Sequence, residues 1–192
     1  MSSRHFGDLT GVPEGTEFPT RQALREAGVH TQPQAGISGS GTDGAESIVL
    51  SGGYEDDQDD GDVIVYTGHG GRDASTGHQV AHQELRLGNL ALARSQLLGL
   101  PVRVIRGHRH RHDSSPLSGY RYAGLYRVED HWHETGKSGY RVWRFRLTKL
   151  AHSPVAESEA TEAEAGGVWM VFPAGSGRRY SASCATPSKP GP

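Results

Sequence analysis

The sequence lacks the features that mark secreted and membrane proteins. It has one cysteine, Cys184, among 192 residues, which excludes an internal disulfide and a cysteine-rich zinc site. No apolar run approaches the roughly 20 residues that a helix needs to cross a bilayer. The first residues, MSSRHFGDL, contain no apolar signal segment. We therefore expect a protein of the reducing cytoplasm that has no contact with a membrane.

The sequence also lacks a large net charge of either sign, because its positive and negative residues nearly balance at −2. Their distribution along the chain is uneven, however. Residues 43–62 hold eight acids and no Lys or Arg, whereas residues 86–149 hold 13 Lys or Arg against four acids. One interpretation is a basic face that contacts nucleic-acid phosphates. The alternative is a surface that is well mixed in three dimensions.

Glycine is abundant, with 27 residues, and ten prolines accompany it, which favours a turn-rich fold built on strands. Helix signals are few. Residues 20–27 are predicted to form a helix that ends at Gly28, and residues 89–98 a helix capped by Asn89. Five strands are predicted, over residues 47–51, 63–67, 102–106, 120–128 and 140–147. The fold class is therefore α+β, with a curved, barrel-like sheet and a few flanking helices.

In the last predicted strand, Val142, Phe145 and Leu147 are expected to face the core, with Arg141, Arg144 and Arg146 facing outward. Residues 1–150 are predicted to form one globular domain. From residue 151 to 192 the composition changes to small residues, Glu, Ser, Gly and Pro, which predicts a low-complexity, mostly disordered tail. The apolar patch VWMVF (168–172) interrupts this tail.

Familiar ligand-binding motifs do not account for the acidic run. An EF-hand starting at Asp56 would need a bidentate Glu at its twelfth position, which is Thr67. The glycines at 68–71 follow a strand, but the third glycine of a dinucleotide loop would fall on Asp73. We therefore expect no cofactor.

The segment GHRHRHDSSP (107–116) allows two interpretations. Alternating His108, His110 and His112 are a possible set of metal ligands, for example in a nuclease. The interpretation we favour is an exposed hairpin whose cations lie near phosphate. The HWH segment (131–133) has no acidic partner at helical spacing and is expected at a strand end on the surface. We predict no metal site and no catalytic residues.

Two tyrosines flank the acidic run, and this arrangement suits a base that is flipped out of a duplex. Aromatic stacking returns roughly 1–3 kcal/mol per base, which offsets the few kcal/mol that flipping costs. A carboxylate accepts a hydrogen bond from cytosine N4 but repels thymine O4. Tyr54, Asp57 and Tyr66 are therefore candidates for base recognition. The alternative is that they are ordinary strand and turn residues.

Six ordered segments within residues 6–150 resemble the SRA domain (SET- and RING-associated, also called YDG): GVPEGT (11–16), AGVH (27–30), AGISG (35–39), DGAESIVLSGGYEDDQDDGDVIVYTGHGGRD (43–73), PVRVIRG (101–107) and GKSGYRVWRFRL (136–147). The resemblance implies a PUA-like fold that binds 5-methylcytosine in duplex DNA, usually by flipping the base. It implies that Tyr54 and Tyr66 sandwich the base and that Asp57 reads its Watson–Crick edge. The pocket would be completed by Thr67, Ser51, Gly53 and, near the methyl group, His69.

The sequence also departs from the family. The Tyr-Asp-Gly motif reads Tyr122-Ala123-Gly124, and the loop at 75–80 lacks the Asn-Lys-Arg finger of the eukaryotic hemimethylation readers. Strict preference for hemimethylated CpG is therefore not expected. Further DNA contacts are predicted at Gln34, Arg72, His78, Gln79, Arg106, Arg109 and Arg111.

The function expected from the resemblance is a non-catalytic, nucleoid-associated reader of modified cytosine, of the bacterial modification-dependent restriction type. Its partners would be duplex DNA with modified cytosine and a separate or fused HNH nuclease. The alternatives are a metal-dependent endonuclease that uses the His-rich loop, part of a larger SRA–HNH nuclease, and a partner-binding protein that has lost the pocket. Which cytosine modification is preferred stays open.

Overall fold

A computed structural model describes residues 4–73 and 75–151, and within them two helices flank one twisted sheet. The predicted tail, with VWMVF, lies outside the described residues apart from Ala151, so the boundary at residue 150 stays a prediction. The helices are α1 (Arg21–Glu26) and α2 (Gly88–Leu98). The strands are β1 (Glu17–Phe18), β2 (Ile37–Ser40), β3 (Gly44–Leu50), β4 (Gln58–Asp59), β5 (Val63–Thr67), β6 (Pro101–Gly107), β7 (Tyr120–Thr135) and β8 (Arg141–Lys149).

The sheet runs in the order β2-β3-β6-β7-β8-β5-β4, and β1 pairs with β7. The pair β3–β6 is parallel and the other pairs are antiparallel. Because β2 and β4 are left as edges, the sheet is curved but not closed. The predicted α+β class is confirmed, with "barrel-like" holding only loosely. No helix in the described residues is long and apolar enough to span a membrane.

The core lies on both faces of the central strands. Strand β3 is buried at every position, since its side chains alternate between two apolar clusters. Ile48 and Leu50 join a cluster that includes Leu92 of α2. Val49 joins a second cluster with Leu24 of α1. The two helices therefore cover opposite faces of β3, and the strand ends beside the segment that carries the acidic run.

The two predicted helices differ in how well their ends were anticipated. Thr20 caps α1 by accepting a hydrogen bond from Ala23 N at 3.1 Å, and Gly28 follows with φ +70°. The predicted cap of α2 is wrong, because the helix begins one residue earlier and Asn89 is fully buried inside it. Its side chain instead forms hydrogen bonds with the backbone of His69 in the neighbouring loop.

Strand β8 shows one clear departure from its predicted pattern. Val142, Phe145 and Leu147 are buried as expected, but Arg144 is only 2% exposed. Residues 142 and 144 share a face, and on that face the acidic loop covers the strand. The outward orientation predicted for Arg144 is therefore wrong, because burial by a loop cannot be read from alternation alone.

Candidate nucleic-acid interface

The acidic run folds into a loop and the short β4–β5 hairpin, and this places its two flanking tyrosines around one cavity. The cavity has a volume of about 300 Å³, at the lower end of the range for small-molecule sites. Tyr54 is half-buried on the loop, whereas Tyr66 is buried near the end of β5. Seven predicted site residues contribute to the lining: Gln34, Ser51, Tyr54, Asp57, Tyr66, His69 and Arg72.

Asp57 is the acid that the loop turns into the cavity. Its Oδ1 accepts a hydrogen bond from the backbone N–H of Thr67 at 2.7 Å. Burial raises the pKa of Asp57 to about 6, although the hydrogen bonds from Thr67 act in the opposite direction. The cavity thus holds a carboxyl group whose pKa is raised to about 6. Such a perturbed acid in a concave site is typical of a functional group.

Thr67 lies beneath the cavity and not among its lining residues. It is fully buried, and its Oγ1 accepts a hydrogen bond from Arg144 Nη1 at 2.8 Å. Arg144 also donates to the backbone carbonyl of Asp56. One buried guanidinium therefore ties the end of β5 to the acidic loop, next to Asp57. Sequence reasoning missed this residue.

The hydroxyl group of Tyr66 is fitted against a glycine on the far wall. A methyl group placed on Gly36 would lie 2.6 Å from the Tyr66 hydroxyl oxygen, closer than any carbon can approach without displacement. Burial raises the pKa of Tyr66 well above its usual value, and the Asp57 carboxylate adds to this. The hydroxyl therefore stays protonated at neutral pH, and the ring is held by its surroundings.

The wall that carries Gln34 is held by a buried histidine. His30 Nε2 donates to the carbonyl of Ala35, and its Nδ1 accepts from the hydroxyl of Ser47, both at 2.9 Å. Burial lowers the pKa of His30 to about 4, so the ring is neutral at physiological pH. The chain on either side of Ala35 is thereby fixed beside the cavity.

The opposite wall, residues 68–72, is held by two buried carboxamides. Gln83 donates to Gly68 O and accepts from Trp143 N. Asn89 accepts from His69 N and donates to His69 O. These side chains replace strand pairing beyond the end of β5. Sequence reasoning missed both, and one sequence carries no signal that separates a buried amide from an exposed one.

His69 faces the cavity with its own ring fixed. Its Nε2 accepts a hydrogen bond from the backbone N–H of Gly88 at 3.1 Å. Burial lowers its pKa below the usual value, which agrees with a neutral ring. Predicted site residue Gly53, by contrast, lines a neighbouring cavity and not this one.

The loop at 75–80 folds back on itself. Gln79 Nε2 donates to the carbonyls of Gly70 and Ala81, which occupies the carboxamide inside the loop. The DNA contact predicted for Gln79 does not agree with this placement. His78 is exposed, and so is Arg72, whose Nε donates to Gly77 O.

A buried ion-pair cluster supports the acidic loop from behind. Arg106 donates to both carboxylate oxygens of Asp59 at 2.8 Å, and His110 Nε2 lies 2.9 Å from Oδ2. Burial by itself would raise the pKa of Asp59, but the hydrogen bonds from Arg106 and His110 hold it well below its usual value. Arg106 is only 4% exposed. The guanidinium of Arg106 is used internally, which does not agree with the DNA contact predicted for it.

The same cluster explains the alternating His-rich segment. His110 points inward to Asp59, whereas Arg109 and Arg111 are exposed. A methyl group on Gly52 would lie 2.3 Å from Arg109 O, so this loop packs directly against the chain between Ser51 and Tyr54. Within residues 4–73 and 75–151, no group of three or more His, Cys, Asp or Glu side chains is placed to hold a metal ion. The arrangement is that of a cationic loop beside the cavity.

Comparisons with known proteins identify the class of domain to which this fold and cavity belong. The family model of the SAD/SRA domain matches residues 5–153, and the chain belongs to this family. The E3 ubiquitin-protein ligase UHRF1 of Danio rerio is 44% identical over 170 residues, covering 78% of this chain and 22% of the relative. The histone-lysine N-methyltransferase family member SUVH9 of Arabidopsis thaliana is 45% identical, covering 77% and 23%. The chain thus spans about a quarter of the length of these relatives.

Solved structures agree with the family. The modification-dependent TagI restriction endonuclease is 49% identical with a TM-score of 0.76, and the match covers 79% of this chain and 54% of that protein. The SUVH5 SRA domain bound to fully hydroxymethylated CG DNA is 40% identical with a TM-score of 0.67, covering 78% and 97%. Another similar structure is the same domain in complex with methylated CHH DNA.

Proposed function

We propose that this chain binds duplex DNA containing 5-methylcytosine or a related modified cytosine and takes that base into the cavity between Tyr54 and Tyr66. It acts as a reader without catalysis of its own. The observation that carries the proposal is Asp57, a carboxyl group inside a cavity lined by two aromatic rings. The complexes of the SUVH5 SRA domain with modified DNA support it.

The chemistry of the cavity suits cytosine. Thr67 N–H occupies Oδ1 of Asp57, and the carboxylate retains lone pairs for a further donor. Cytosine offers its N4 amino group at this edge, whereas thymine offers an acceptor that a carboxylate repels. The two tyrosine rings supply stacking surface that offsets the cost of removing the base from the duplex.

The methyl group contributes less than the rest of the base. Burying one methyl is worth about 0.8 kcal/mol, and even a well-shaped slot discriminates one carbon by about 1–3 kcal/mol. We therefore expect roughly a ten-fold preference for the modified base. Most of the affinity comes from phosphate contacts, for which the exposed Arg109 and Arg111 beside the cavity are suited.

The biological setting we propose is a modification-dependent restriction system, with the chain acting on DNA in the nucleoid. The similarity to TagI supports this, since that protein is named a modification-dependent restriction endonuclease. The match covers only about half of TagI, and the nuclease chemistry would come from an HNH module that is separate from this chain or fused to it.

The test is a titration of the full chain with two fluorescent duplexes that differ only in one 5-methyl group, at two salt concentrations. Tighter binding of the methylated duplex at both concentrations is the expected result. Asp57→Asn should remove that difference, whereas Asp60→Asn, an exposed acid of the same run, should keep it. Equal affinity of the wild-type protein for both duplexes would refute the proposal.

Base flipping is tested separately. A 2-aminopurine placed next to the methylated cytosine loses a stacking neighbour when that cytosine leaves the duplex. Its fluorescence should therefore rise on binding of the wild-type protein. Preference for methylated DNA without this rise would show that the modification is read in the groove.

A further inference from the structure

A cation lies against Tyr54, the less buried of the two rings. The guanidinium carbon of Arg72 is 4.7 Å from the centroid of the Tyr54 ring, a distance typical of a cation–π contact. Arg72 Nε donates to the carbonyl of Gly77 at 2.7 Å, which fixes the plane of the guanidinium. Tyr54 is therefore contacted by a charged group whose own position is fixed by the backbone.

Two glycines show on which side of the ring this guanidinium lies. A methyl group on Gly53 would be 2.9 Å from Arg72 Nη1, and one on Gly77 would be 2.9 Å from Nη2. Both glycines line a second cavity of about 440 Å³, and Tyr54 and Arg72 line both this cavity and the proposed base pocket. Neither glycine lines the base pocket itself. The Nη1 and Nη2 ends of the guanidinium therefore lie on the side of Tyr54 that faces the second cavity.

The chain from Gly71 to Ala81 holds the guanidinium in place. The backbone of Arg72 forms an isolated antiparallel β-bridge with that of Gln79. The backbone N–H groups of Val80 and Ala81 both donate to Gly71 O. The Asp73 carboxylate accepts four hydrogen bonds from the backbone and side chains of Ser75 and Thr76. The described residues of this loop are thus joined to one another by hydrogen bonds on both sides of Arg72.

We infer that Arg72 is a positioning residue, which braces Tyr54 from behind so that its free face is presented to the incoming base. The inference rests on the proposed function, because it assigns a role to the loop beside the same pocket. It differs from the phosphate contact expected from the sequence. A ring that is fixed before binding loses less freedom when the base stacks on it, and this increases affinity for the flipped base alone.

The Arg72→Lys variant distinguishes a brace of Tyr54 from a phosphate contact. Arg72→Lys keeps the charge but loses the flat stacking group and its fixed bond to Gly77. As a brace, Arg72 should therefore not be replaceable by Lys, and the preference for methylated DNA should fall roughly three- to ten-fold. The salt dependence of binding should not change. As a phosphate contact, Arg72 should be replaceable by Lys with little loss.

Arg72→Ala completes the comparison, with Arg109→Ala as the matched control. The slope of log K against log salt should fall by about 0.9 for Arg109→Ala and stay unchanged for Arg72→Ala. The methyl preference should survive in the first variant and fall in the second. A lowered slope with intact preference in Arg72→Ala would overturn the inference.

A measurement on the free protein separates this inference from the proposed function. The Arg72 Nε–H signal in NMR should be shifted by the Tyr54 ring and protected from exchange by Gly77 O. Tyr54→Leu should remove the shift and Tyr54→Phe should keep it. Free exchange and no shift would refute the brace whatever the DNA results. If the signals are as expected but wild-type protein has no methyl preference, the brace exists and both the proposed function and the role inferred from it fail.

Discussion

The backbone N–H of Thr67 and Oδ1 of Asp57 are joined by a 2.7 Å hydrogen bond that links the end of a strand to the acidic loop. This bond fixes which carboxylate oxygen is occupied before any ligand arrives. The pocket therefore offers a defined acceptor at a defined place.

Asp57→Asn should change which base is preferred. The amide oxygen still accepts from Thr67, so the amide nitrogen now presents a donor where the carboxylate presented an acceptor. We expect a loss of about 1–3 kcal/mol in the discrimination between methylcytosine and thymine, measured by competition between a methylated C·G duplex and a T·G duplex. Unchanged discrimination would exclude Asp57 from contact with the base. Asp60→Asn again serves as the control.

Asp57 should also make folding stability fall as pH rises. Its pKa of about 6 in the folded protein exceeds the ordinary value of 3.8, so the folded state binds the proton more tightly than the unfolded state. Stability is then lost between about pH 4 and 6, and Asp57→Asn should be more stable than wild type at pH 7 by about 1–3 kcal/mol. Urea unfolding at pH 4 and pH 7 measures this. A gain that is the same at both pH values would contradict the stated cause.

The same titration should affect binding with the opposite sign. A protonated Asp57 loses charge and acceptor capacity, so affinity for methylated DNA should decline below about pH 6 and level off above pH 7. The comparison of interest is with the unmodified duplex, because phosphate contacts are common to both. A methyl preference that is flat from pH 5 to pH 8 would argue against an ionised Asp57 in the complex.

Gly36 and Tyr66 should behave as a coupled pair. Gly36→Ala places a carbon 2.6 Å from the Tyr66 hydroxyl oxygen and should destabilise the fold by about 1–3 kcal/mol. Tyr66→Phe removes that oxygen and should recover much of the loss in the double variant. Thermal unfolding of the four proteins gives the coupling energy. Additive effects would show that the clash is relieved elsewhere.

Arg106 should matter for folding and not for DNA charge. Arg106→Gln leaves the Asp59 carboxylate buried with one cation fewer, and loss of one partner of a buried pair costs about 3–5 kcal/mol. Arg109→Gln, three residues further on, removes an exposed cation and should change stability by less than about 0.5 kcal/mol. Similar melting temperatures for the two variants would contradict the buried network.

Contacts between residues close in sequence were easier to predict than contacts between distant segments. Tyr54, Asp57 and Tyr66 lie within one loop and strand, so their spacing suggested a shared site, and the resemblance to the SRA domain assigned them to one pocket. The orientation of Arg106 and Arg144 was not predictable, since each is buried by a segment far away in sequence. Alternation assigns an arginine to the outer face of a strand, but it does not reveal that a loop covers that face.

The least visible features were those made by glycines and amides. Gly36 and Gly53 carry no side chain, and their importance lies in the space that Tyr66 and Arg72 occupy beside them. Gln83 and Asn89 are polar residues that periodicity places on a surface. Their roles depend on which backbone groups were left unpaired at the end of β5, and that is a property of the assembled sheet.

Asn89 forms its two hydrogen bonds with the backbone of residue 69. The position of this part of the pocket wall therefore does not depend on these bonds reaching a particular side chain there. A smaller or larger residue at that position would leave both of these hydrogen bonds in place. The sheet and the tyrosine pair can thus stay constant while one position sets the room beside the base. In a lineage exposed to DNA with varied cytosine modifications, selectivity can change at that position with the loss of only the side-chain hydrogen bond to Gly88 N–H.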